Sequence, residues 1–279
     1  MIISEKKIQS YKKNGFLVID DFLSANEIAI LKNESKRLLN QNIFNKILEK
    51  NGDVRIFFSP HTDSEIFAKL AQLPRLVEPA KQLLGSDIYI HQSKIHPKVA
   101  LHGEQWEWHQ DFWYWHKEDG LPTPRILSVV IFLDDVNDFN SPILVIPGSH
   151  KQVIQLGINH KSLRSNKVEQ FWLDSVLNAD KYKMDKNTLA KIAEEKGIVA
   201  IKGSAGFAMF FDACIIHCSG ANMSPWDRYS VFVTYNSIEN TLIEIDNPRP
   251  EFLAQRDFTP VKTLSDNALL EMSSFINYD

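Results

Sequence analysis

The chain has 279 residues, 44% of them hydrophobic, enough to bury a full core. Its formal net charge of −4, from 31 Lys and Arg against 35 Asp and Glu, gives no electrostatic bias toward nucleic acid or an anionic membrane surface. Two cysteines, Cys214 and Cys218, are too few for a disulfide framework, no apolar run is long enough to span a bilayer, and no secretory leader is visible at the N-terminus.

These features predict a cytoplasmic protein, monomer or homodimer, that takes a small-molecule substrate. The N-terminal part, about residues 1–85, reads as helical. Ser24-Ala-Asn-Glu27 is a capping box, in which hydroxyl and carboxylate each satisfy an orphan backbone donor. Behind it Ile28, Leu31, Leu38 and Leu39 form an apolar stripe at helical spacing. A further helical stretch covers about Ser64 to Leu84, interrupted at Pro74 and closed by Gly85. Beyond residue 86 the pattern changes. Ile88–Ile90, Ile126–Leu133, Leu144–Ile146, Ile198–Ile201, Phe207–Phe211 and Tyr229–Tyr235 are short β-rich runs separated by turn residues. A polar, partly helical insertion at about 151–196 reads as a lid or flank. No internal repeat or flexible linker divides the chain. The expected architecture is a single domain over residues 1–279, mainly β with flanking helices. Its core would be a double-stranded β-helix, or jelly roll, at about 86–240.

The stretch WEWHQDFWYWHKEDG, Trp106 to Gly120, sets four tryptophans beside a His-Gln-Asp triplet. In an extended segment residues i and i+2 share a face, so His109 and Asp111 can reach one ion. Read as a strand, the stretch aligns its tryptophans with these two residues only if it bends. Of the nine histidines, His217 is the best third ligand, because it closes the apolar run FFDACIIH. Two histidines and one carboxylate form the facial triad of non-haem Fe(II) oxygenases, with His109, Asp111 and His217 as catalytic metal ligands. A structural zinc site would favour cysteine-rich ligands that this chain lacks. Oxygenases that consume 2-oxoglutarate also need a fixed cation for its distal carboxylate, and an arginine fork suits that task. Arg228 lies eleven residues after His217, at the start of the Tyr229–Tyr235 strand. That strand is expected to return beside the one ending at His217, with Ser219 adding a hydroxyl. A zinc hydrolase would leave this arginine unexplained.

Four separated blocks resemble the phytanoyl-CoA dioxygenase superfamily, and within it the ectoine hydroxylase branch. They are WHQDFWYWHKEDGLP, SPILVIPGSHK, HCSGANMSPWDRYSVFVTYNSIEN and NPRPEFLAQRD, in the same order over nearly the whole chain. The resemblance implies a jelly roll with Fe(II) on His109, Asp111 and His217, and O2 and 2-oxoglutarate as cosubstrates. It places Arg228, Ser219, His96, Trp106 and Phe58 around 2-oxoglutarate. It places Gln92, Trp115, Phe211, Phe232, Thr234 and Arg249 on the substrate. The chain departs from the branch at Trp106 (usually Phe), Gln110 (Ser), Trp113 and Tyr114 (Glu and Thr), His96 (Asn) and Thr234 (aliphatic).

Iron and cosubstrate handling are thus kept while the substrate surroundings change. The expected activity is hydroxylation of a small, polar, nitrogen-rich molecule, tailoring an amino-acid or guanidine-alkaloid natural product such as a cyanobacterial toxin. Ectoine hydroxylation is the alternative, and a catalytically inert jelly-roll binding protein a further one. His102, His116, His150 and His160 read as surface or hydrogen-bonded residues, His150 with a supporting place near the site. Glu118-Asp119 reads as a turn before Gly120, with no chemistry assigned.

Overall fold

A computed structural model describes residues 2–152, 154 and 184–271. Most of the expected insertion, and His160, lie outside the described residues. Helices α1 (Glu5–Asn14), α2 (Ala25–Leu39), α3 (Pro60–Asp63), α4 (Glu65–Leu70) and α5 (Pro74–Leu84) precede the main strands. Ser24 and Glu27 form the capping box of α2: the Glu27 amide donates to Ser24 Oγ at 3.4 Å, and the Ser24 amide to the Glu27 carboxylate at 2.9 Å. Arg75 of α5 pairs with the same carboxylate at 2.7 Å, tying the two helices together. Gly85 closes α5 with a left-handed φ of 65°, as a C-terminal glycine should. No helix among the described residues is long and apolar enough to cross a membrane.

Two antiparallel sheets form the jelly roll. The larger runs β1 (Phe16–Ile19), β9 (Ala208–Asp212), β6 (Ile126–Phe132), β11 (Arg228–Ser237), β4 (Ile88–Lys98), β3 (Val54–Phe58) and β2 (Lys46–Leu48). The smaller runs β5 (Trp106–His109), β10 (His217–Ser219), β7 (Ile143–Val145) and β8 (Val199–Ile201). Strand β6 shows why its sequence is apolar at every position but Ser128, whose hydroxyl is satisfied within the sheet by Thr234. Leu127, Val129 and Ile131 face the helical layer with Leu31, Leu70 and Leu76, while Val130 and Phe132 face the smaller sheet with Val145 and Ile201. Period-two alternation with both faces buried needs no polar position.

Four expectations change. The N-terminal part is not only helical, since it supplies β1, β2 and β3 to both edges of the larger sheet. These runs are short, and their register is set by partners far along the chain, such as Phe16 against Phe211. The Ile88–Ile90 run continues to Lys98, through polar residues that a solvent-facing strand pattern does not explain. His217 begins β10 rather than ending a strand, and Arg228 starts a strand in the opposite sheet instead of beside it. Finally, His109-Gln110-Asp111 is not extended throughout: β5 ends at His109, and helix α6 (Asp111–Glu118) begins at Asp111. The segment bends at the metal site, and Trp113 and Trp115 lie on a helix.

Gly120 follows that helix with a φ of 80°, and its carbonyl accepts from the Ile243 amide at 3.0 Å. A Cβ there would lie 2.4 Å from the Ile243 carbonyl oxygen. Gly120→Ala therefore combines left-handed strain with a backbone collision, an expected loss of about 2–4 kcal/mol. Urea unfolding should show a lower midpoint at unchanged slope. An unaltered midpoint would mean that the segment after β11 is not seated on this turn as described.

Candidate active site

His109 and His217 face each other across the β5–β10 pair, with ring centroids 4.3 Å apart. Each ring is oriented by its own strand. His109 Nδ1 lies 2.6 Å from the Glu107 carbonyl and His217 Nδ1 lies 3.0 Å from that of Ile215. A carbonyl only accepts, so Nδ1 carries the proton and each Nε2 keeps a lone pair for a metal. Asp111 completes the set: its carboxylate oxygens lie 3.4 Å from His109 Nε2 and 4.0 Å from His217 Nε2. One ligand atom from each of the three falls within 4.8 Å of the others. Ligands ~2.1 Å from one ion on adjacent corners would stand roughly 3 Å apart, so a small inward adjustment suffices.

The charge states suit a cation. Burial alone would raise the Asp111 pKa, but His217, His109 and Lys94 hold the carboxyl below the ordinary range. Burial, helped by His109, lowers His217 to about 4, so it is neutral at physiological pH. Asp111 also opens α6, where the helix N-terminus favours a negative charge. Gln110 pins the bend from beneath: its side-chain amide donates to the carbonyls of Cys214 and of Gln152, the latter at 3.0 Å, and accepts from the Ile154 amide at 3.2 Å. The turn bearing His217 is held by Ser149 Oγ, which accepts from the Ile216 amide at 2.9 Å.

A cavity of about 110 Å³ opens on the triad. Arg228, Ser219, His96, Trp106 and Phe58, the residues expected around the cosubstrate, all line it. Arg228 is buried, and its guanidinium donates to the Ser141 carbonyl at 2.7 Å, Ser230 Oγ at 3.0 Å and the Asn140 carbonyl at 3.3 Å. Burial lowers its pKa to about 10, still cationic at neutral pH. These partners are neutral acceptors, so they position the cation without cancelling its charge. Trp106 Nε1 donates to His96 Nε2 at 2.8 Å, with the Arg55 guanidinium over the indole ring, 4.0 Å from its centroid. Burial and nearby cations, Lys98 first, push His96 well below its usual pKa, which suits its role as acceptor. Two departures from the family pattern, Trp106 and His96, thus form one hydrogen-bonded unit.

Of the residues expected on the substrate, Gln92, Trp115, Phe232 and Arg249 line the cavity, whereas Phe211 and Thr234 do not. The Phe211 ring packs edge-on against His217, at 5.2 Å. The Thr234 hydroxyl is engaged with Ser128 Oγ at 2.9 Å, inside the sheet. Asp119 lies in the turn before Gly120, as the sequence suggests, and is also fully buried in a fork with Arg249, at 2.8 and 2.6 Å. Burial alone would raise its pKa, but Arg249 outweighs this and keeps the carboxylate ionised. Lys94 and Tyr114, also absent from the expected site, line the cavity too. His150 packs on the end of α1, with Nε2 3.2 Å from the Lys12 carbonyl, and gives the site no direct support. His116 sits 2.7 Å from the Leu121 carbonyl, and His102 pairs with Asp53 at the surface. Both cysteines are free and buried.

Residues 11–230 match the family model for phytanoyl-CoA dioxygenase. The chain belongs to this family. It is 37% identical to the ectoine dioxygenase of Bordetella bronchiseptica, over 96% of this chain and 88% of that protein. The ectoine dioxygenase of Streptomyces anulatus is 38% identical, over 93% and 88% of the two chains. The crystal structure of EctD from S. alaskensis with 2-oxoglutarate and 5-hydroxyectoine superposes with a TM-score of 0.82 at 31% identity, covering 94% and 88%. A carbocyclase from nogalamycin biosynthesis shares the fold, with a TM-score of 0.65 at 19% identity. Family and site together make this chain an Fe(II)/2-oxoglutarate-dependent dioxygenase. His109, Asp111 and His217 would hold the iron, which when bound would supply the chemistry that couples O2 to decarboxylation of 2-oxoglutarate. The protein's own part is to fix the ligand geometry, hold neutral imidazole and ionised carboxylate in place, and shape the cavity that opens on them.

Proposed function

We propose that the chain hydroxylates a compact zwitterion bearing a flat amidinium or guanidinium group, with ectoine as the leading candidate. What carries this reading is the run of relatives named ectoine dioxygenase, 33–38% identical over more than nine-tenths of the chain. They favour ectoine over the natural-product tailoring expected from the altered residues. The positions of those residues explain why. Gln110 pins a backbone turn, Trp113 donates to the Ile154 carbonyl at 2.7 Å, and Thr234 bonds to Ser128, so none of the three lines the cavity. Of the substrate-side departures only Tyr114 does. A Trp115 face suits a flat cation, and Gln92 and Phe232 line the same cavity.

In this arrangement 2-oxoglutarate takes the end holding Arg228 and Ser219, and the substrate takes the end holding Trp115 and Arg249. Incubation with Fe(II), 2-oxoglutarate, O2 and ectoine should yield succinate and a product heavier by one oxygen atom, read by mass spectrometry. Tyr114 favours a second reading, a cyclic guanidine substrate, because a phenol in the lining changes the pocket's shape. Turnover of a cyclic guanidine but not of ectoine would establish that reading instead. Preference for a long acyl-CoA would overturn both, since an end of the cavity lined by Gln92, Lys94 and Arg249 does not suit an apolar chain.

A further inference from the structure

The cavity contains three cationic side chains, and their surroundings differ. Arg228 is buried among carbonyls and a hydroxyl at the cosubstrate end. Arg249 is already held in a fork by Asp119. Lys94 is the third. It lies on β4 between Gln92 and His96, which share its face, and opposite Phe232 of β11 in register. Its ammonium sits 4.8 Å from the centroid of the Phe232 ring, a cation–π contact that holds it over the cavity. Among the described residues no acceptor lies within hydrogen-bonding distance of it. Lys98, two residues on, shows the contrast: its ammonium donates to the carbonyls of Glu104 and of Gly220, the latter at 3.2 Å, and it does not line the cavity.

An ammonium with three donors that is half-buried, turned to the cavity and hydrogen-bonded to no described residue is open to an anionic ligand, with the Asp111 carboxylate acting on it only electrostatically. We infer that Lys94 is the cation that holds the anionic group of the primary substrate, beside the Arg249–Asp119 pair. The inference rests on the reading of the substrate as a zwitterion. Its placement follows from strand alternation: Gln92 borders the substrate end, His96 the cosubstrate end, and Lys94 lies between them. A carboxylate bound there would leave the flat cationic part of the substrate against Trp115. The Arg249–Asp119 fork then acts as a fixed wall whose charges are already balanced. Specificity for a carboxylate-bearing substrate would depend on a residue outside the four blocks that carry the family resemblance.

The test uses the anaerobic enzyme loaded with Fe(II) and 2-oxoglutarate, whose weak visible band reports binding next to the metal. Wild type, Lys94→Met and Lys94→Arg are titrated with ectoine and with ectoine carboxamide. Loss of a charged hydrogen bond should weaken ectoine binding to Lys94→Met by roughly ten- to a hundredfold. Carboxamide binding should hardly change, and Lys94→Arg should recover most of the ectoine affinity. The 2-oxoglutarate titration itself should be unaltered. A weakened 2-oxoglutarate titration with normal ectoine binding would overturn the assignment, giving Lys94 to the cosubstrate. Equal losses for carboxylate and carboxamide would overturn it too. If ectoine does not perturb the wild-type band, the proposed function fails separately, and the same variants are titrated with arginine, proline and a cyclic guanidino acid. The Lys94 assignment predicts the same discrimination for whichever of these binds. A wild-type enzyme that binds none of these carboxylates would overturn it.

Discussion

Alanine in place of His109, Asp111 or His217 is expected to abolish both turnover and the visible band that 2-oxoglutarate gives with bound Fe(II). Each residue supplies one of three protein ligands, and no spare carboxylate or imidazole completes the cluster among the described residues. Partners that merely orient a ligand typically contribute roughly ten- to a hundredfold, so the loss of a ligand itself should exceed that range. The fold should survive, because the three side chains line the cavity and none belongs to the packed clusters on either side of the larger sheet. Asp111→Ala also removes an ionised carboxylate from between two imidazoles, and its melting temperature should stay close to wild type. Metal content, the anaerobic band and a thermal melt measured on one preparation separate loss of iron from loss of fold. A variant that kept full iron and the full band would show that its residue is not a ligand.

Arg228 is expected to govern affinity for 2-oxoglutarate. Arg228→Ala removes a buried bidentate cation, worth about 2–3 kcal/mol by the usual range for hydrogen bonds to charged groups. The apparent affinity for 2-oxoglutarate should fall by roughly thirty- to a hundredfold or more. The same change leaves the Ser141 and Asn140 carbonyls without their donor, so some stability is lost as well. Arg228→Lys is the useful companion. It keeps the charge but not the fork, and should fall between the two. The primary substrate should bind nearly normally once 2-oxoglutarate is saturating. Unchanged 2-oxoglutarate affinity with poor substrate affinity would instead place Arg228 on the primary substrate.

The sequence reveals most where a feature is local. The Ser24–Glu27 box, the glycine closing α5 and the apolar β6 run each depend on a few neighbouring residues, and each stands as read. The metal triplet is legible because His109 and Asp111 are two residues apart. The bend between them, which turns a strand into a helix, is not. It depends on Gln110 reaching carbonyls of Gln152 and Cys214, more than forty and a hundred residues away. The ion pair of Asp119 is illegible for the same reason, since its partner Arg249 lies 130 residues further on. Lys94 had a signal available. Gln92, Lys94 and His96 place polar groups at every second position of a strand buried in the sheet, and that alternation marks a face turned to a polar cavity. The opposed placement of β10 and β11 was beyond local reading, because strand order within a jelly roll is set by long-range pairing.

Turnover of ectoine under 18O2 tests the coupled reaction most directly. With Fe(II) and 2-oxoglutarate present, one labelled oxygen atom should appear in succinate and the other in the hydroxyl group of the product, with succinate and product formed in equal amounts. Unlabelled succinate, or labelled succinate formed while ectoine stays unoxidised, would contradict the assignment of this cavity to coupled hydroxylation of that substrate.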